Sequence, residues 1–178
     1  MSDDYLLNQI LSIKQKRIHN ELKSFYLSQN KTFRWEKFRF KTNDNVYLAD
    51  VNIDTHQNIT ATFILNVTEN KSTIVEIYFK KGLPYPFKPP DVKINIYNYL
   101  ELLRISYEDL RKLNIDSGCL CCTSITCNNM WGPGCNMFLL FNEITRNLKI
   151  KMRLLERFLC KKIINKHFGF YLPIEEFL

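Results

Sequence analysis

Five of the six cysteines lie between Gly118 and Cys135, at Cys119, Cys121, Cys122, Cys127 and Cys135. Thiols at that density can do one of three kinds of chemistry. An exposed thiolate in a loop is a nucleophile that takes and passes on an acyl group. Four thiolates can enclose a tetrahedral metal such as zinc. Paired thiols can form disulfides. The bland alternative is packing, since a free cysteine behaves as a small hydrophobe. The metal reading has enough ligands in these five residues, but they lack the familiar Cys-x-x-Cys pairing and no histidine stands among them. His19, His56 and His167 are dispersed, and nothing in the sequence puts one beside Cys121 as a base.

The disulfide reading depends on compartment. The N-terminal Ser2-Asp3-Asp4 has no positive charge ahead of an apolar run, as a secretory signal requires. The apolar run at 137–141 is far too short to span a bilayer. The expectation is an intracellular chain, cytoplasmic or nuclear, with no membrane partner and with reduced thiols. A hydrophobic fraction of 46% and an aromatic fraction of 13% fit a folded domain. A length of 178 residues fits a single one, residues 1–178. The net charge of +7 is spread over helical patterns such as Lys14-Gln15-Lys16-Arg17, which read as solvated faces, not as a nucleic-acid footprint.

The elements that must position the thiols follow from periodicity. Leu7, Leu11, Ile18, Leu22 and Phe25 predict one helix over about 3–29. The aromatics Phe33, Trp35, Phe38 and Phe40 alternate in part, as in a strand. Strands are predicted at 46–53, 59–67, 73–79 and 91–96, the second and third joined by a tight hairpin at Asn70. Between the last two, Pro84, Pro86, Pro89 and Pro90 exclude helix and central strand. That segment is expected to be stiff and extended, with Tyr85 and Phe87 held outward. A short helix is expected at 99–113, a long surface loop at 118–135, and a helix at 137–167 ended by Gly169. Cys160 falls in the stripe of that last helix and reads as a packed thiol.

Tyr85-Pro86-Phe87-Lys88-Pro89-Pro90-Asp91-Val92 matches, residue for residue, the Tyr-Pro-Phe-Lys-Pro-Pro-x-Val segment of the ubiquitin-conjugating enzyme family. Gly118-x-Leu120-Cys121 resembles that family's Gly-x-Ile-Cys run, and Trp131-Gly132-Pro133-Gly134 its Trp-Ser-Pro-Ala loop. The helix carrying Lys16-Arg17-Ile18-His19-Asn20-Glu21-Leu22 and the strands after it stand in the same order. The resemblance covers about residues 10–145, leaving about 146–178 as a C-terminal helical extension.

That resemblance implies an α/β (α+β) fold, UBC-like, with an antiparallel four-stranded meander sheet, an N-terminal helix, a central helix and C-terminal helices. It implies that ubiquitin or a ubiquitin-like protein is accepted as a cysteine thioester from an activating enzyme, then passed to a substrate lysine with a ubiquitin ligase. ATP is consumed upstream by the activating enzyme, so the chain itself is expected to need no cofactor and no metal. Cys121, three residues after Gly118, takes the nucleophile's place. Counting back from Trp131 favours Cys122 instead, and Cys119, Cys127 and Cys135 are then bystanders. Asn114 takes the place of the asparagine in the family's His-Pro-Asn segment, which serves the oxyanion or orders the loop. The histidine and proline are replaced here by Lys112 and Leu113. As a turn residue before Asp116-Ser117-Gly118, Asn114 also has a purely structural reading. Phe87 and Pro133 fall on the two ligase-binding loops. The lost His-Pro keeps a second class open: an inactive variant of the same fold that binds a modifier or a ligase.

Overall fold

The computed structural model describes residues 3–29, 45–115, 119–127 and 130–168. The strand expected from the aromatics at 33–40 lies outside them, as does Gly118. The single N-terminal helix is instead two, α1 (Asp3–Ser12) and α2 (Lys16–Gln29). Leu6, Ile10 and Ile13 are buried, and so are Ile18, Leu22, Phe25 and Tyr26. Five positions separate Ile13 from Ile18, so an unbroken helix would turn the second set about 140° from the first. The break restores a common buried face. It is held by His19, whose backbone N–H donates to the Gln15 carbonyl and whose Nδ1 lies 3.0 Å from the Ile10 carbonyl oxygen. Leu11, expected in the buried stripe, is exposed.

The sheet is an antiparallel meander of β1 (Val46–Ile53), β2 (Ile59–Thr68), β3 (Lys71–Phe79), β4 (Asp91–Ile94) and β5 (Tyr97–Asn98), hydrogen-bonded in sequence order. Among the described residues, five strands stand where four were expected. The cause is Asn95, whose positive φ of 56° ends β4 early. Its N–H donates to the Ile74 carbonyl (2.8 Å), and its side-chain oxygen accepts from the Ile74 N–H (3.2 Å). The chain reverses there and lays Tyr97–Asn98 back on β4. The β2–β3 hairpin forms at Glu69–Asn70 as expected. A register shift between Leu48 and Asp50 re-phases β1, so that Val46, Leu48 and Val51 all point inward.

Four helices follow: α3 (Tyr99–Leu102), α4 (Tyr107–Arg111), α5 (Leu120–Thr123) and α6 (Met137–Phe168). The expected helix at 99–113 is thus split in two, each half separately capped, by Asn98 and by Ser106. One face of the sheet is covered. Phe63 of β2 makes edge-on ring contacts with Phe25 of α2 (5.2 Å) and Phe141 of α6 (4.7 Å). Tyr47, Ile64 and Ile74 stand on the other face, exposed and in cross-strand register.

The long last helix does not leave the domain at residue 145. Leu154 is still buried, the Lys151 ammonium donates to the Leu102 carbonyl, and the Arg157 guanidinium bonds the Lys112 carbonyl. The 99–113 segment and the C-terminal extension therefore dock on each other. Beyond that contact Leu155, Phe158, Leu159 and Cys160 are exposed, so Cys160 is not the packed thiol its helical position suggested. No helix among the described residues is long and apolar enough to cross a membrane.

Candidate functional site

The cysteine stretch is not an open surface loop. It begins with α5, whose N-cap, Cys119, has a non-helical backbone (φ −52°, ψ 124°). The N–H groups of Cys122 and Thr123 both donate to the Cys119 carbonyl. One helical turn therefore folds Cys121 and Cys122 back over Cys119, and the three sulfurs lie within 4.8 Å of one another. Cys119 and Cys121 form a disulfide across a Cα–Cα distance of 5.4 Å. This corrects one expectation: the thiols are not all free. Spacing alone is silent on the point, because the approach depends on Cys119 being non-helical while its successors are helical.

Cys122 is exposed and free, with its sulfur 3.8 Å from that of Cys121. Cys121 is half-buried against the core. Cys127 and Cys135 are half-buried free thiols outside the three-sulfur cluster. Among the described residues, the cysteines placed to hold a metal ion are Cys119, Cys121 and Cys122. Three thiolates are one short of a closed structural zinc site, and the disulfide leaves only Cys122 of the three as a thiol.

Two carboxylates, neither anticipated from the sequence, fix this region from opposite sides. Glu143 of α6 is buried and accepts from the Ser124 hydroxyl (2.6 Å), the Ile125 N–H (2.7 Å) and the Tyr99 hydroxyl (3.0 Å). It thereby ties the residues just after α5 to the last helix and to α3. Ser124 also pairs with Thr126 (2.8 Å), and Tyr99 accepts from the Asn147 amide (2.9 Å). Burial, with the Glu143 charge beside it, raises the Tyr99 phenol's pKa far above its ordinary value, so Tyr99 stays a neutral donor. The signal for Glu143 was present. It shares a helix face with Leu140, Ile144 and Asn147, an acid on an apolar stripe.

Glu21 of α2 plays the matching role. It pairs with Arg17, accepts from the Tyr85 hydroxyl (2.9 Å), and accepts from the Met137 N–H (2.8 Å) at the start of α6. A carboxylate at a helix N-terminus satisfies an otherwise unpaired donor and opposes the positive end of the dipole. Burial, with the Glu21 charge, likewise raises the Tyr85 pKa and keeps its phenol protonated.

The proline segment corrects another expectation. It is a series of turns, with a cis Tyr85–Pro86 peptide and the Phe87 and Lys88 N–H groups returning to the Pro84 carbonyl. Tyr85 points in, against Phe79 and Trp131, while Phe87 points out at 67% exposure. The Trp131 indole N–H donates to the Pro86 carbonyl at 2.7 Å. That bond joins the two loops carrying Phe87 and Pro133, both of which present their side chains to solvent.

Asn114 sits at φ 56°, just past α4. Its N–H donates to the Arg111 carbonyl and the Ile115 N–H to the Leu110 carbonyl, the bonding of a Schellman cap. Its backbone role is therefore that of a left-handed helix stop, with Leu110 and Ile115 packed in the same core. Comparison with protein-family models, with curated proteins and with solved structures finds no match for this chain.

Proposed function

We propose that this chain is a divergent ubiquitin-conjugating enzyme with a UBC-like fold, accepting ubiquitin or a ubiquitin-like protein on Cys121 and transferring it to a substrate lysine. The observation that carries the reading is the Trp131–Pro86 hydrogen bond. It unites the two most specific sequence motifs in one surface, with Phe87 and Pro133 exposed for a ligase and a short helical turn of cysteines between the two motifs in the chain.

The chemistry asks little of neighbouring groups. The reduced Cys121 thiolate attacks the carbonyl of the modifier's C-terminal thioester on the activating enzyme, and the activating enzyme's thiolate leaves. A lysine amine then attacks the new thioester, the Cys121 thiolate leaves, and an isopeptide bond remains. Asn114 is the candidate donor to the oxyanion of that second step. A second nucleophile, Cys122, is favoured by one observation, its greater exposure as a free thiol.

The test is incubation with activating enzyme, ATP and ubiquitin under prior reduction, read on a non-reducing gel. A thiol-sensitive adduct that Cys121→Ala abolishes and Cys122→Ala retains is the expected result. The reverse pattern moves the nucleophile to Cys122. No adduct with ubiquitin or any ubiquitin-like protein supports the inactive, modifier- or ligase-binding reading instead.

A further inference from the structure

We infer that Cys119 and Cys121 form a reversible oxidation site, in which Cys119 is the resolving thiol and disulfide formation masks the Cys121 sulfur. Three observations carry this. The two sulfurs are paired across a Cα–Cα distance within the ordinary range for disulfides. The pairing is set by backbone geometry, a non-helical Cys119 (φ −52°, ψ 124°) ahead of a helical turn, so the thiols meet without long-range rearrangement. Both lie on a turn that Glu143 anchors just downstream through Ser124 and Ile125.

Hydrogen peroxide is the oxidant class that fits. The Cys121 thiolate attacks one peroxide oxygen, the O–O bond breaks, and the departing hydroxide takes a proton to become water, leaving a sulfenic acid. The Cys119 thiolate then attacks the sulfenic sulfur. The S–S bond forms, the S–O bond breaks, and the second hydroxide leaves as water. Two thiols lose two electrons and one peroxide gains them. A dithiol reverses the step by attacking the Cys119 sulfur, which releases the Cys121 thiolate, and its second thiol then frees Cys119. The consequence for thioester formation rests on the conjugation reading above; the pairing itself does not.

The experiment treats fully reduced full-length chain with limiting peroxide and counts free thiols by mass-tagged maleimide, alongside the thioester assay before and after dithiothreitol. The expected result is a fall from six thiols to about four, with charging lost and then restored by the dithiol. Cys119→Ser and Cys119→Ala are each expected to keep all five of their remaining thiols out of intramolecular disulfides and to charge normally before oxidation. Cys122→Ser still loses two. A pair that forms without Cys119, or six thiols persisting, overturns the inference. Reduced protein that pairs Cys119 with Cys121 but never charges overturns the conjugation reading and leaves the oxidation site standing.

Discussion

Replacing Glu143 separates its role as a buried anchor from that of an ordinary helix residue. The residue is 7% exposed and its carboxylate receives three donors, so its loss has a cost that can be worked donor by donor. In Glu143→Ala the Ile125 N–H loses its acceptor, costing about 1–3 kcal/mol as a stranded donor. The Ser124 and Tyr99 hydroxyls keep Thr126 and Asn147 as neighbours but lose a charged acceptor, about 1 kcal/mol each. The total is on the order of 3–5 kcal/mol, a fall of roughly 10 °C in Tm for a chain this long. Glu143→Gln is milder. Its oxygen can still accept from Ile125, and its amide can donate to oxygens of Ser124 and Tyr99 that reorient, for a loss of about 1–2 kcal/mol. Urea unfolding followed by tryptophan fluorescence measures both. In the thioester assay, Glu143→Gln at a temperature where it is folded is expected to charge more slowly than wild type, because the turn after α5 is held less firmly. An alanine variant losing less than about 1 kcal/mol, or a glutamine variant as unstable as the alanine one, would refute the reasoning.

Asn114 has two roles that one pair of variants distinguishes. Asn114→Gly keeps the left-handed stop and should leave stability unchanged, while Asn114→Ala should lose about 1 kcal/mol in denaturant unfolding; an oxyanion role predicts that both slow discharge to lysine without slowing thioester formation. Trp131→Phe removes the donor to Pro86 and should cost about 1 kcal/mol in unfolding. Phe87→Ala, at an exposed position, should leave stability unchanged but weaken ligase binding measured by calorimetry. The Asp109 carboxyl titrates below its ordinary value, first because the Ser106 hydroxyl bonds it and then because Lys112 does. A depressed folded-state pKa means its stabilisation is complete above the ordinary carboxylate range and is lost as pH falls through the lower value. Acid unfolding of Asp109→Asn should therefore show a shallower fall in stability below about pH 4 than wild type.

The sequence by itself determined the local order of this protein. Alternating β-branched residues placed β1, β2 and β3, Asn70 placed their tightest turn, and the apolar stripe from Phe138 placed the last helix. Strand identities were legible there because backbone period and burial agree along each segment, whereas the last helix keeps its apolar period past Leu154 with Leu155 and Leu159 exposed. The boundaries that failed did so for local reasons. A five-residue gap between Ile13 and Ile18 broke a helix, and a left-handed Asn95 ended β4 short of the expected residue 96 and turned Tyr97–Asn98 back as a further strand. The candidate site was legible only as residue types. Cys121, Cys122, Asn114, Phe87 and Pro133 could be named, but spacing carries no sign of which side chains meet. Local backbone geometry brought Cys119 onto Cys121, and only the tertiary structure brought Trp131 onto Pro86 and two acids more than a hundred residues apart onto the segments around them. The first depends on a single non-helical residue ahead of a helical turn, the others on which distant segments pack together. Neither kind of contact leaves a periodic trace in the chain that creates it.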